Sequence, residues 1–282
     1  MEKIGLLIDS TTLTREDIKK APYMKVAPLG VTIDGVNYSE FDLSVEKMNY
    51  HIHHAKKMLT SQPSPGLFLE LYQQFFDEGY TNVLVITLSE KISGTFQSAL
   101  LAKAMIDFPL EISIHAPKVA SFGVALGITL IQKMIEDGVA FETITKKSHD
   151  IYENATVMFT LQNLMNLFRG GRLSMVSALL GTVLRIKPVV EMIDGKLELT
   201  KKERTNVACY DYFIAKIDEY VSKYKTVYVD FIELNKQEFA DRFLEEAKTR
   251  FPSIITSITH YVSPVFAVHL GDVGFGIAVV AL

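Results

Sequence analysis

The chain has no tryptophan, a single cysteine and only nine prolines in 282 residues. Cys209 cannot close an internal disulfide, so the fold does not depend on an oxidising compartment. Basic residues are not in excess either: 29 Lys and Arg stand against 33 Asp and Glu, a net charge of −4. A dedicated nucleic-acid binder would need the opposite balance to meet phosphates, so no nucleic-acid partner is expected. Long hydrophobic runs are also missing. Phe122 to Ile131 is the longest, half of what spans a bilayer, and Ile4 to Ile8 is too short for a signal-peptide core. The expectation is a cytoplasmic protein with no stable membrane insertion. With 48% hydrophobic residues and 16 Gly, the composition is neither disordered nor collagen-like. The length suits one large or two medium domains.

What is present is an alternation of short apolar runs and amphipathic stretches. Ile4–Ile8 reads as a buried parallel strand ending in the polar loop Asp9-Ser10-Thr11-Thr12. Met24–Ile33 reads as one extended stretch before the turn signal Asp34-Gly35, and Ser44–Leu59 as a wet helix. Ser64, Pro65 and Gly79 have the residue types of an N-cap, a first helical position and a C-terminal stop. Val83–Leu88 is a further strand, followed by a helix that turns Leu100, Leu101, Ala104 and Met105 inward. Glu111–His115 is strand-like and Gly123–Glu136 helical. Strand, loop and helix repeated in this way imply a parallel α/β sheet.

Beyond a polar stretch at Lys146–Asn154 the pattern changes. A strand at Thr156–Phe159 leads to a short helix up to Phe168, a Gly170-Gly171 break, and another helix to about Leu180. Leu184–Ile193 and Lys196–Leu199 form a hairpin over Asp194-Gly195. Helices at Asn206–Tyr224 and Lys236–Phe251 alternate with strands at Thr226–Ile232, Ile254–Ile258, Val265–His269 and Gly276–Ala281. The expected fold is α/β: an N-terminal parallel-sheet domain over 1–155 and a C-terminal α+β domain over 156–282, with a ligand between them.

Ligands in open α/β sheets sit beyond the carboxyl ends of the strands, which makes the polar loops the informative part. Thr60-Ser61 and Ser93-Gly94-Thr95 gather hydroxyls, the latter at a predicted helix N-terminus, where free amides favour a carboxylate or phosphate. Helix capping accounts for the same residues. His51, His53 and His54 have no acidic or cysteine neighbours in their run, so they read as a solvated helix face and no metal is expected. His269 ends an apolar stretch before Gly271-Asp272-Val273-Gly274, where it can be either a structural histidine or a ligand contact. That glycine spacing fits no nucleotide motif, no cofactor is expected, and no G-x-S-x-G elbow occurs. Cys209 reads as core. Charge is uneven: Arg169 to Arg204 holds eight basic residues against four acidic ones, either a local surface able to dock an acidic or phosphorylated partner or a solvated hairpin with incidental lysines.

Several of these segments occur together in a fixed order: Asp9-Ser10-Thr11, Pro28-Leu29, Thr60-Ser61-Gln62-Pro63-Ser64, Ser93-Gly94-Thr95-Phe96-Gln97-Ser98-Ala99, Gly170-Gly171-Arg172, Ile186-Lys187-Pro188 and His269-Leu270-Gly271. In this the sequence resembles the DegV family, the fatty-acid-binding subunits of the bacterial fatty acid kinase system, over nearly its whole length. The resemblance implies one long-chain fatty acid buried between two domains. It implies a non-enzymatic carrier that presents the carboxylate to a separate ATP-dependent fatty acid kinase and takes the acyl phosphate towards phospholipid synthesis. By the same resemblance Thr60, Ser61, Ser93, Gly94, Thr95 and His269 hold the carboxylate. Asp9 and Ser10 shape the cleft, and Arg172, Lys187 and Arg204 face the kinase or the acyl phosphate. Departures from the family pattern fall at Glu90-Lys91, His115-Ala116-Pro117 and Asp272. The Phe-rich helices starting near Pro65 and Phe96 are candidate tunnel walls, and core packing explains the same stripes. Two rival readings remain: a hydrolase or acyltransferase with Ser93 as nucleophile and His269 as base, and a binder of a small carboxylate or phosphate metabolite.

Overall fold

A computed structural model describes residues 2–12, 21–173, 186–235 and 238–282. Up to Ser61 the chain divides between two sheets. β1 (Ile4–Asp9) and β2 (Met24–Ala27) pair in parallel. β3 (Gly30–Ile33) and β4 (Val36–Ser39) form a hairpin over Asp34 and Gly35, both at positive φ (48° and 89°), as a tight two-residue turn demands. The expected single stretch 24–33 is therefore two strands, because Pro28 ends the first and the chain crosses to another sheet. α1 (Val45–His54) is capped by Ser44, and β5 (Met58–Ser61) then pairs with the free edge of β3. The helix expected as far as Leu59 thus stops at His54.

α2 (Pro65–Asp77) begins with Ser64 accepting from the Leu67 amide and Pro65 in its first turn. β6 (Asn82–Ile86), α3 (Thr95–Lys103) and β7 (Glu111–His115) complete a fully parallel sheet of order β2-β1-β6-β7. α4 (Phe122–Glu136) and α5 (Phe141–Glu153) follow. The latter covers the stretch read as polar, since Phe141, Ile144, Ser148, Ile151 and Tyr152 bury one helical face between charged residues. The remaining elements are β8 (Thr156–Leu161), α6 (Met165–Arg169), β9 (Lys187–Ile193), β10 (Lys196–Glu203), α7 (Asn206–Lys223), β11 (Val227–Leu234), α8 (Ala240–Thr249), β12 (Ile255–Thr259), α9 (Pro264–Leu270) and β13 (Gly274–Ala281). Their strands build a sheet of order β10-β9-β8-β13-β11-β12, antiparallel except between β11 and β12. The helix expected up to about Leu180 and the start of the one expected at Lys236 lie outside the described residues.

Strand periodicity stacks the layers. Leu7, Val83 and Val85 face α2 and α3, while Leu6, Ile8, Leu84 and Ile86 face the other way. There they join α4, α5, Val190, Ala278 and Val280 in one core, so those two helices fill the space between the sheets. The far side of the six-stranded sheet packs Val189, Val229, Phe231 and Ile277 against α7 and α8.

Two expectations fail on packing. Leu100, Leu101 and Met105 are 43%, 56% and 59% exposed, while Ser98, Ala99 and Ala102 are buried. α3 lies so close to α2 that the Tyr72 hydroxyl donates to the Ala99 carbonyl at 3.1 Å, and only small side chains fit between them. The stretch expected as a strand at Val265–His269 is α9, because Ser263 accepts from the Phe266 amide and Pro264 opens the first turn. Local capping outweighs the β-branched, aromatic composition there.

Candidate functional site

A cavity of about 390 Å³ opens between the sheets. Its body is apolar: Leu88, Ala120, Phe122, Val157, Met158, Met192, Leu197, Ile232 and Phe275 line it with other aliphatic and aromatic residues. Its polar groups include Thr60, Ser61 and Gln62 from the end of β5, Ser93 from the loop before α3, Arg172 after α6, and His269 in the last turn of α9. The wall is made by sheet strands, the start of α4, α6, α9 and the loops at Leu29, Leu88, Ile92, Ala120 and Val262. The Phe-rich faces of α2 and α3 are not part of it, because α2 packs its Phe68, Leu71 and Phe75 on the opposite side of the parallel sheet.

The polar groups are tied to one another. Thr60 Oγ1 and His269 Nε2 are hydrogen-bonded at 2.9 Å, and Ser93 Oγ and Thr95 Oγ1 at 2.8 Å. Gln62 donates to Ser98 Oγ at 3.4 Å and lies directly over Gly94, where a Cβ would collide with its carboxamide. Gly170 serves a similar purpose, since a Cβ there would stand 2.8 Å from His269 Nδ1. Gly171 follows at φ 70°, and Arg172 is then fixed by donating from Nη1 to the Gly170 carbonyl at 2.5 Å and from Nε to that of Ile92 at 3.3 Å. Burial, helped by the positive charge of Arg172, pulls His269 down to about 4 from its ordinary 6.5. At neutral pH the histidine is therefore an uncharged hydrogen-bonding group. Arg172 is the one full charge among the described lining residues.

Asp9 and Ser10 do not line this cavity, but each fixes the backbone of a residue that does. Asp9 is fully buried and accepts from the Leu88 amide at 2.6 Å, and its pKa is raised by burial despite hydrogen bonds from Thr11 and Leu88. Ser10 Oγ accepts from the Leu29 amide at 2.8 Å and donates to Glu40. Glu40, also buried with a raised pKa, accepts from the Val265 amide at 2.9 Å at the start of α9. Sequence reasoning missed Glu40. Its neighbours mark only a surface turn, and its burial arises from α9, far along the chain.

A scan of family models matches residues 3–282 to one described as "Uncharacterised protein, DegV family". The chain belongs to the DegV family. A DegV domain-containing protein of Listeria innocua is 33% identical, covering 98% of each chain. Among solved structures, a fatty-acid-binding DegV family protein from Thermus thermophilus superposes with a TM-score of 0.89 at 26% identity, over 99% of this chain and all of the other. DegV from Bacillus subtilis, described as a fatty acid binding protein, gives 0.88 at 25% identity over the whole of both chains.

Within this DegV fold, the residues singled out from sequence separate into groups. Thr60, Ser61, Ser93, His269 and Arg172 share the cavity wall. Gly94 and Thr95 stand behind Ser93, making room for Gln62 and holding the Ser93 hydroxyl. Lys187 and Arg204 are elsewhere. Leu173 bridges to Leu197 on β10, whereas Lys187 pairs with Glu203, six residues or about 20 Å further along that strand. Glu90 and Lys91 pair with each other at 3.3 Å outside the cavity. Asp272 accepts from Asn235 at 3.0 Å and meets His53 at 2.7 Å. It lines a second space of about 590 Å³ whose wall mixes apolar groups with Ser10, Lys25, Glu40 and His260. Ser93 and His269 are not hydrogen-bonded to each other: each hydroxyl or ring nitrogen has the threonine partner named above. Among the described residues no helix is long and apolar enough to cross a membrane.

Proposed function

We propose that this protein is a cytoplasmic carrier that binds one long-chain fatty acid between the units 1–155 and 156–282. Carrying most weight is the polarity of the cavity: one cation, a neutral histidine and several hydroxyls converge, and the remaining wall is predominantly hydrocarbon. A long acyl chain gains on the order of 10 kcal/mol from burial, at about 0.8 kcal/mol per methylene. An unpaired buried carboxylate would forfeit much of that. Here Arg172 supplies charge, Ser93, Ser61 and Thr60 supply hydrogen bonds, and neutral His269 donates one from the ring nitrogen that carries its proton. The fatty acid ligands of the Thermus and Bacillus relatives support the same reading.

The finer proposal is that the bound carboxylate is presented to a separate kinase. A carboxylate oxygen would attack the γ-phosphate of ATP, giving an acyl phosphate and ADP, and the carrier would deliver the product to phospholipid synthesis. Arg172, half-buried beside the carboxylate site, is suited to stabilise the added charge, whereas Lys187 and Arg204 are left as outlying contacts for the kinase surface. Solvent extraction and mass spectrometry of the purified protein test the first claim. Recovery of long-chain acid is expected, and absence of lipid together with no uptake of added oleate or palmitate would overturn it. Trapping with hydroxylamine after addition of ATP and a fatty acid kinase tests the second. An acyl hydroxamate is expected, and its absence with active kinase removes the acyl-phosphate step.

A further inference from the structure

Four helices begin with a Ser or Thr in extended backbone whose hydroxyl accepts a helix amide: Ser44, Ser64, Thr205 and Ser263. Ser121 holds the same place before α4 and behaves differently. Its backbone is at φ 50°, ψ −120°, and its side chain makes no capping bond. Glycine adopts positive φ freely, whereas a residue with a Cβ does so at a cost. Ser121 is also 6% exposed, lines the cavity, and its Oγ has no hydrogen-bond partner among the described residues. A buried hydroxyl without a partner is unfavourable in its own right. No imidazole or carboxylate is bonded to it, so it is not an activated nucleophile. Strain and burial are both accepted at this position with no return inside the protein.

Its place in the cavity says what kind of partner it would meet. Ser121 is two residues from Gly123, whose missing Cβ leaves room for Val157 near the start of β8. Val157 adjoins Met158, whose partner Glu191 adjoins Met192, and Met192 pairs with Leu197, so this part of β8 belongs to the apolar wall. Ser121 itself stands between the lining residues Ala120 and Phe122, and its Oγ is bonded to none of Thr60, Ser61, Gln62, Ser93, Arg172 or His269. The hydroxyl therefore faces the hydrocarbon body of the cavity.

Resting on the fatty-acid reading above, we propose that Ser121 is a second polar subsite, hydrogen-bonding an oxygen carried on the acyl chain. The preferred ligand is then a long-chain hydroxy or oxo fatty acid in place of the unsubstituted one. Delipidated full-length protein titrated with stearate, a mid-chain hydroxystearate and the corresponding oxostearate tests this. The oxygenated acids are expected to bind about fivefold tighter than stearate, the worth of one hydrogen bond. Ser121→Ala should equalise the three while leaving stearate within about twofold, and Ser121→Gly, which suits the backbone better, should do the same with a higher melting temperature. Stearate binding with no gain from chain oxygen, or a gain that survives both substitutions, overturns the subsite alone. If none of the three acids binds, the fatty-acid reading falls and the subsite with it.

Discussion

The polar groups that converge at one end of the cavity come from short segments scattered over the chain, at Thr60–Gln62, Ser93, Arg172 and His269, while its apolar body is drawn from β8, β9, β10, β11 and β13, the start of α4, α9 and the intervening loops. The first group depends on local devices: glycines that admit a neighbouring side chain, an arginine clamped by two carbonyls, threonines that orient a histidine and a serine. The second depends on how two sheets are spaced. Changes at the polar end should therefore alter affinity for any fatty acid by a common factor, and changes in the body should alter the ranking of chains.

Arg172→Ala should have the largest effect, weakening long-chain fatty acid binding roughly 30-fold in a calorimetric titration, since a charge-assisted hydrogen bond to a buried carboxylate is worth about 2 kcal/mol. Binding of the matching fatty alcohol should barely change, and an equal loss for both would erase the distinction between head-group and body residues. Gly170→Ala should follow, with about tenfold weaker binding and a lower melting temperature, because the new methyl meets His269 Nδ1 at 2.8 Å and the Asn166 carbonyl at 3.0 Å.

Acidification probes the polar end from another direction. Folding lowers His269 and His115 from 6.5 to about 4, the first by burial and Arg172, the second by burial and His149. The unfolded chain binds more protons at these two histidines between those values, so the stability they contribute is full above about 6.5 and lost as pH falls towards 4. His269→Asn should flatten part of that slope in denaturant melts at several pH values, and an unchanged slope would contradict the buried neutral histidine.

Ala120→Leu acts on the body. It should weaken the longest chains a few-fold, the worth of one or two methylenes at about 0.8 kcal/mol each, and spare shorter acids. Lys187→Ala and Arg204→Ala should have the smallest effect, leaving fatty acid affinity within about twofold because neither side chain lines the cavity.

The same contrast explains what could be read from sequence. Thr60-Ser61, Ser93, Gly170-Gly171-Arg172 and His269 stand out because hydroxyls, paired glycines and a lone histidine are unusual residues in short runs. Ser64-Pro65 and Asp194-Gly195 announce a helix start and a hairpin for equally local reasons. Met192, Leu197 and Val157 could not be told from ordinary core, since an apolar position looks the same whether it faces a side chain or a cavity. Leu100 and Leu101 misled because α3 had to present Ala99 and Ala102 to α2, a requirement set by the neighbouring helix. His269 was picked out while its secondary structure was misread, the strand-like run 265–269 yielding to the Ser263 cap. Lys187 and Arg204 were grouped with Arg172 by charge, and the β9–β10 register sets them apart.

Competition for a labelled fatty acid on delipidated protein, using palmitate, hexadecanol and acetate, tests the central claim most directly. Palmitate should displace the label, with hexadecanol at least tenfold weaker for want of the charge and acetate ineffective for want of the chain. Displacement by acetate at concentrations similar to palmitate, or by hexadecanol as readily as by palmitate, would contradict a site built from a cationic polar end and an apolar body.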